Sequence, residues 1–81
     1  MPPRLRALGV TAREAEVLAL VARGMTNAQV ATQLFLSPRT VERHVASLRQ
    51  RTGQPDRAHL IAFARRLSDP GADTGPPGAT S

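Results

Sequence analysis

The side chains best suited to chemistry lie between positions 39 and 46, in the segment RTVERHVA. Val41, Val45 and Leu48 recur at spacings of four and three residues, which predicts a helix that buries these three side chains. The opposite face then presents Arg39, Glu42, Arg43 and Ala46. Arginine can donate paired hydrogen bonds to guanine, a carboxylate can accept one from the cytosine amino group, and alanine can contact a thymine methyl group. This combination indicates readout of base edges in the major groove of duplex DNA.

Local sequence signals predict where the helix that carries this face begins, and where the preceding helix begins. Ser37 supplies an N-cap and Pro38 suits the first helical position, so we expect the helix to run from about residue 38 to residue 52. Upstream, Thr26 and Gln29 have the spacing of a capping box for a shorter helix, which ends at a turn near residues 35 and 36. Two helices joined by a tight turn, the second facing outward, are typical of a helix-turn-helix DNA-binding motif.

Two further helices complete the predicted fold. Thr11 and Glu14 form another capping box, and the helix that they start ends at Gly24. Gly53 ends the third helix, and Asp56 caps a fourth. These signals predict an all-α fold, a compact four-helix domain. We expect three segments: a flexible N-terminal arm at residues 1–9, the DNA-binding domain at residues 10–67, and a disordered tail rich in glycine and proline at residues 68–81.

The charge is concentrated in the predicted domain. All eleven cations are arginines, and the net charge of the chain is +5. Two of the six acids lie after residue 67, where there is no cation, so residues 1–67 carry eleven cations and four acids, or +7. This balance favours a polyanionic partner, but alone it does not separate DNA from RNA or an anionic membrane. With only two aromatic residues, a stacking surface for single strands is disfavoured.

Composition argues against several other classes of function. There is no cysteine, and we find no nucleophile beside a base, no phosphate-cradling glycine loop and no paired carboxylates. We therefore expect no enzyme activity, no cofactor and no metal site. No apolar run reaches membrane-spanning length, and the first residues lack the apolar core of a secretory signal, so a cytoplasmic protein is expected.

The ordered motifs resemble the LuxR-type, or GerE-type, helix-turn-helix domain of bacterial transcription regulators. Residues 11–18, TAREAEVL, are similar to the opening T-x-R-E-x-E-V-L of that family. The resemblance continues through GMTN at 24–27, LS at 36–37 and TVERH at 40–44, and then through Gly53 and Arg57. It implies a four-helix domain whose third helix enters the major groove and whose fourth commonly mediates dimerisation on two-fold related half-sites.

The resemblance also marks two departures. Positions 42 and 46 are often basic in relatives that contact bases there, so Glu42 and Ala46 imply a different base preference. Relatives usually carry a further module upstream of this domain. The chain is therefore either a stand-alone regulator or a domain cut from a longer one, and the tail favours the cut domain, with Met1 as an added start.

The candidate DNA contacts extend beyond the outward face of the third helix. For Arg43, contact with a base or a phosphate is favoured, whereas Glu42 either recognises cytosine or pairs with a neighbouring arginine. Arg57 is a further candidate for phosphate contact, and Glu16 resembles a family position whose acid pairs with an arginine, here Arg51 or Arg57. The full set of predicted contacts is Asn27, Ser37, Arg39, Thr40, Glu42, Arg43, Ala46, Ser47, Arg49 and Arg51.

The predicted fourth helix has two stripes. One stripe suits the core. The other consists of His59, Phe63 and Arg66 and is a candidate dimer contact. The alternative interpretation of this second stripe is a single exposed phenylalanine on a monomer surface. The predicted function is sequence-specific binding of double-stranded DNA in bacterial transcription regulation, with a homodimer on a promoter or operator. The rival hypothesis is a protein-interaction module of the same fold that contacts RNA polymerase or oligomerises.

Overall fold

The computed structural model describes residues 2–68, so the tail predicted at residues 68–81 lies, apart from Ser68, outside the described part. Within these residues the chain forms five helices and no strand, which confirms the all-α prediction. None of the five is long and apolar enough to cross a membrane. The helices are α1 (Pro3–Ala7), α2 (Ala12–Ala22), α3 (Asn27–Leu34), α4 (Pro38–Thr52) and α5 (Arg57–Ser68).

The predicted helix starts are formed by the expected side chains. The Thr11 hydroxyl accepts a hydrogen bond from the Glu14 backbone at 3.1 Å, and the Glu14 carboxylate accepts one from the Thr11 backbone at 3.0 Å. Thr26 and Gln29 make the same reciprocal pair at 3.1 and 2.9 Å. At the start of α4, the Ser37 hydroxyl accepts from the Thr40 backbone at 3.1 Å. Three of the long helices therefore begin where local chemistry predicts.

Helix α4 occupies the centre of the fold. Its stripe of Val41, Val45 and Leu48 is buried, as the spacing predicts. The helix contacts α2, α3 and α5, and its buried stripe belongs to one core cluster with residues of those three helices. It ends at Gly53, whose φ of 71° is readily adopted only by a residue without a Cβ. Helix α4 is thus fixed from several sides and leaves one long face to solvent.

The N-terminal segment differs from the prediction of a flexible arm over residues 1–9. Residues 3–7 form helix α1, with proline in its first turn, and Leu5 is buried in the core cluster. The backbone N–H of Val10 donates to the Leu5 carbonyl at 3.1 Å and closes the end of this short helix. A five-residue helix has little stability of its own, so its packing against the domain holds it, and periodicity could not reveal it.

Phe63 corrects the sequence interpretation of α5. Its side chain is only 6% exposed and belongs to the core, so it is not part of a surface stripe. The guanidinium of Arg4 lies over the ring, 5.6 Å from its centroid. Because α1 was not predicted, Phe63 was assigned to the stripe of α5 that the core does not need. His59 and Arg66 are exposed, as that interpretation required.

Candidate nucleic-acid interface

The outward face of α4 brings together the four residues predicted to contact bases. Arg39, Glu42, Arg43 and Ala46 are all exposed, whereas Val41 on the opposite side is fully buried. Among residues 2–68, no hydrogen bond or ion pair engages the side chains of these two arginines or of Glu42. Two guanidinium groups, one carboxylate and one small apolar residue therefore share one solvent-exposed face of the helix.

The N-terminal end of α4 adds two hydroxyl groups to this face. Ser37 and Thr40 lie with their hydroxyl oxygens 2.9 Å apart, in addition to the capping bond. Whichever hydroxyl donates in this pair, the other keeps its own proton for an outside acceptor. Positive potential at a helix N-terminus also favours a nearby anion. The arrangement suits contact with one phosphate oxygen.

The C-terminal half of α4 is engaged within the protein instead. The Ser47 hydroxyl donates to one Glu14 carboxylate oxygen at 2.6 Å, and the Arg51 Nε lies 3.5 Å from the other. Arg51 Nε also donates to the Ser47 hydroxyl at 3.2 Å. The Glu14 side chain is only 8% exposed. Two of the predicted DNA contacts thus join α4 to the N-terminus of α2.

These contacts correct the expected partner of Glu16. Its carboxylate lies 3.7 Å from Arg13, one helical turn away, and both side chains are largely exposed. The acid that meets Arg51 is Glu14, a role that the sequence interpretation missed. A signal for part of this role was available, since a capping-box glutamate uses one carboxylate oxygen for the cap and has a second oxygen for another partner, which here is the Ser47 hydroxyl.

The electrostatics of Glu14 follow from this position. Burial is the largest single effect on the pKa of Glu14, and by itself it would raise this pKa. The hydrogen bonds from Ser47 and from the Thr11 backbone, together with the charge of Arg51, outweigh burial, so the pKa of Glu14 is lowered from its ordinary value of 4.5. The carboxylate is therefore ionised at neutral pH, when its bonds to α4 are strongest.

Arg57 and Arg49 are likewise turned towards the protein. Arg57 donates from Nη1 to the Asn27 side-chain oxygen at 2.6 Å and from Nη2 to the Met25 carbonyl at 2.9 Å. It thereby links the start of α5 to the start of α3. Arg49 donates to the carbonyl of Pro55 in the loop before α5. The predicted contact residues Asn27 and Arg49 thus have partners within the protein, unlike the residues of the outward face of α4.

Comparison with known proteins shows which family the chain belongs to. Residues 9–64 match the family described as bacterial regulatory proteins, luxR family. The chain belongs to the LuxR family. It is 44% identical over 57 residues to the response regulator Rre1 of Synechocystis sp. and 36% identical over 59 residues to the DNA-binding transcriptional activator DevR/DosR of Mycobacterium tuberculosis. The transcriptional regulatory protein LiaR of Bacillus subtilis is 33% identical over 57 residues.

The similarity to these LuxR-family proteins covers 70%, 73% and 70% of this chain, respectively, but only 25%, 27% and 27% of the relatives. The chain therefore spans about a quarter or less of the length of its relatives, and 7% of one of them. No solved structure matches it. Membership establishes that residues 9–64 form a helix-turn-helix DNA-binding domain of the LuxR family, and this type of domain is non-enzymatic.

Proposed function

We propose that this LuxR-family domain recognises a specific duplex sequence by inserting α4 into the major groove. The observation that carries the proposal is the outward face of α4, where Arg39, Glu42, Arg43 and Ala46 are exposed and without partners among residues 2–68. A helix fits the width of the major groove, and side chains on its outer face then reach base edges. The net charge of +5 favours the approach to DNA.

Each residue of the face has a role that its chemistry supports. Arg43 donates to a guanine, or to a phosphate if the helix lies higher in the groove. Glu42 accepts from a cytosine amino group, because a carboxylate is repelled by phosphates and is tolerated only where it meets a donor. Ala46 permits close approach and contacts a thymine methyl group. Arg39, with the spare hydroxyl proton of Ser37 or Thr40, contacts phosphate at the N-terminal end of α4.

The other predicted contacts support α4 in this proposal. Ser47, Arg51, Asn27 and Arg49 each have a partner within the protein, which restricts the orientation of their side chains. Arg51 has the best access to an external partner, since 42% of its side chain is exposed. We therefore assign these four residues primarily to the placement of the helix, with phosphate contact secondary.

Titration of a labelled duplex at several salt concentrations tests the proposal. Each phosphate contact adds about −0.9 to the slope of log affinity against log salt. If only Arg39 and Arg43 neutralise phosphates, the slope per domain is about −2, whereas all five arginines at positions 39, 43, 49, 51 and 57 would give about −4.5. A slope near zero would contradict DNA binding through this face. It would favour the rival function, a protein-interaction module that contacts RNA polymerase.

Dimerisation on DNA belongs to the same proposal. With Phe63 in the core, the outward face of α5 includes His59, Ala62 and Arg66, all exposed. One helix face of this kind buries a small area, so the homodimer forms mainly when two half-sites hold the domains together. The half-sites then lie about 34 Å, or about 10 base pairs, apart as an inverted repeat.

A further inference from the structure

Phe35 is exposed in a way that the fold does not require. The side chain, in the turn between α3 and α4, is 95% exposed. Its backbone is left-handed, with φ 58° and ψ 43°, and it is the only residue other than glycine among residues 2–68 with positive φ. A bulky side chain in this conformation is strained, and glycine or asparagine is normally found there. The backbone conformation therefore opposes stability at this position, and the ring, which stays in water on folding, adds no burial to offset it.

The turn itself does not depend on the ring. Its hydrogen bonds are made by the backbone, from the Phe35 N–H to the Thr32 carbonyl at 3.4 Å and from the Leu36 N–H to the Ala31 carbonyl at 2.8 Å. Glycine would make the same bonds without strain. The apolar contact of the turn with the core comes from the next residue, Leu36, which is partly buried. The phenylalanine ring thus has no structural role in the described part of the chain.

The position of Phe35 beside the N-terminal end of α4 indicates that duplex DNA is the partner of the ring. Phe35 lies two residues before Ser37, the N-cap of α4, and therefore at the end of α4 that carries Arg39 and Thr40. No acidic residue occurs between positions 27 and 41, so nothing in this stretch repels phosphate. The thymine methyl group is the principal apolar feature of the major groove, and phenylalanine is among the side chains suited to contact it.

We propose that Phe35 is a specificity-determining residue that contacts a thymine methyl group at the edge of the bound sequence. The inference rests on the proposed insertion of α4 into the major groove and extends the contact surface beyond that helix into the turn. A strained, exposed ring is retained because it adds an apolar contact that glycine would lose. DNA affinity and stability of the fold should therefore respond in opposite directions when the ring is removed.

The test uses the full chain, a preferred duplex selected from random sequences, and the variants Phe35→Gly and Phe35→Leu. Phe35→Gly relieves the backbone strain, so its thermal midpoint should equal or exceed that of the wild type, by up to a few degrees. Its affinity for the preferred duplex should fall about 3- to 10-fold, with a smaller loss on random DNA. Phe35→Leu keeps an apolar side chain and should retain most of the affinity.

Replacing each thymine of the preferred duplex in turn with deoxyuridine removes one methyl group at a time. At one outer position, the replacement of thymine by deoxyuridine should lower the affinity of the wild-type protein and should not lower that of Phe35→Gly any further. This coupling identifies the methyl group that Phe35 contacts. The thymine proposed for Ala46 should weaken both proteins equally and serves as an internal control.

Two results overturn the inference, and they differ from each other. If wild type and Phe35→Gly bind the preferred duplex equally well, the ring does not contact DNA, and a protein partner becomes the explanation of its exposure. In that case the proposed function stands. If the wild-type chain binds no duplex, the proposed function fails and the inference fails with it.

Discussion

The two halves of α4 use the same residue type for different purposes. Arg43, in the N-terminal half, is exposed and has no partner among residues 2–68. Arg51, two turns later, lies beside the buried carboxylate of Glu14 and bonds Ser47. The sequence around each arginine is similarly polar, so the difference arises from the neighbouring helix. The C-terminal half of α4 is thus bound to α2, and this attachment fixes the orientation of the exposed N-terminal half.

The attached half restricts rotation of α4 about its own axis. Ser47 and Arg51 both meet Glu14, whose carboxylate is also tied to the first turn of α2. Side chains that contact base edges must be placed within a fraction of an ångström, which requires this kind of support from a second layer of residues. Mutations in the attached half should therefore lower stability, and mutations in the exposed half should lower DNA affinity.

The largest expected effect is on stability. Glu14→Ala removes the acceptor for the Thr11 backbone and for the Ser47 hydroxyl and leaves Arg51 without its acid. Losing a buried, charge-assisted acceptor should lower the free energy of unfolding by about 2–4 kcal/mol. Urea denaturation measures this loss. Glu16→Ala is the matched control on the same helix, and its exposed pair with Arg13 should contribute less than about 0.5 kcal/mol. Equal losses in the two variants would contradict the attachment of α4 through Glu14.

The same carboxylate makes the stability depend on pH. The pKa of Glu14 is lower in the folded protein than its ordinary value of 4.5, so folding favours the ionised form. Its contribution is complete above that ordinary value and is lost as the pH falls through the lower pKa of the folded state. Urea midpoints measured from neutral to acidic pH should decline less steeply in Glu14→Gln than in the wild type. Asp56, whose pKa is lowered by hydrogen bonds from the backbone and then the side chain of His59, maintains some decline in both.

In the exposed half, the expected effect is on binding alone. Arg43→Ala should weaken binding to the preferred duplex by about 1–3 kcal/mol, and random DNA by less, if the guanidinium contacts a base edge. The urea midpoint should not change, because Arg43 has no partner to lose among residues 2–68. Gln50→Ala, exposed further along the same helix, should alter affinity much less. Equal losses on both duplexes would instead assign Arg43 to a phosphate.

The comparison also shows what sequence could and could not predict. The starts of α2, α3 and α4 were predictable because a cap and its partner lie only three residues apart. The outward face of α4 followed from helical periodicity. The bond between Glu14 and Ser47 joins residues 33 positions apart, so the capping-box spacing indicates that Glu14 has a spare carboxylate oxygen but does not specify which residue of α4 it meets.

Phe63 illustrates the same limit. Arg4 of α1 lies over the ring of Phe63, and Leu5 of α1 belongs to the same core cluster as Phe63. Neither α1 nor the burial of Phe63 could therefore be predicted from the sequence without knowledge of the other. Helical periodicity therefore assigned Phe63 to the surface, and the dimer contact proposed for α5 had to be redrawn around exposed residues.

The smallest expected effect concerns that redrawn contact. Phe63→Glu is unsuitable as a test, since a charge at this buried position would unfold the protein. Ala62→Arg instead places bulk and a like charge between the exposed His59 and Arg66. Cooperative filling of two half-sites should fall several-fold, with affinity for a single half-site nearly unchanged, because the contact is small. Binding isotherms on duplexes with one and two half-sites measure the difference.

The matched control is Ala19→Arg, which makes the same substitution on the exposed side of α2 and adds the same charge. Ala19 lines an apolar cavity of about 830 Å³ between α1, α2 and the end of α5, an alternative surface that a second copy could use. Because both variants raise the positive charge equally, any general gain in DNA affinity cancels in the comparison. Loss of cooperativity in Ala62→Arg alone supports the α5 face. Loss in Ala19→Arg alone would instead place the dimer contact at the cavity. The proposed contact of α4 with DNA would not be affected by that result.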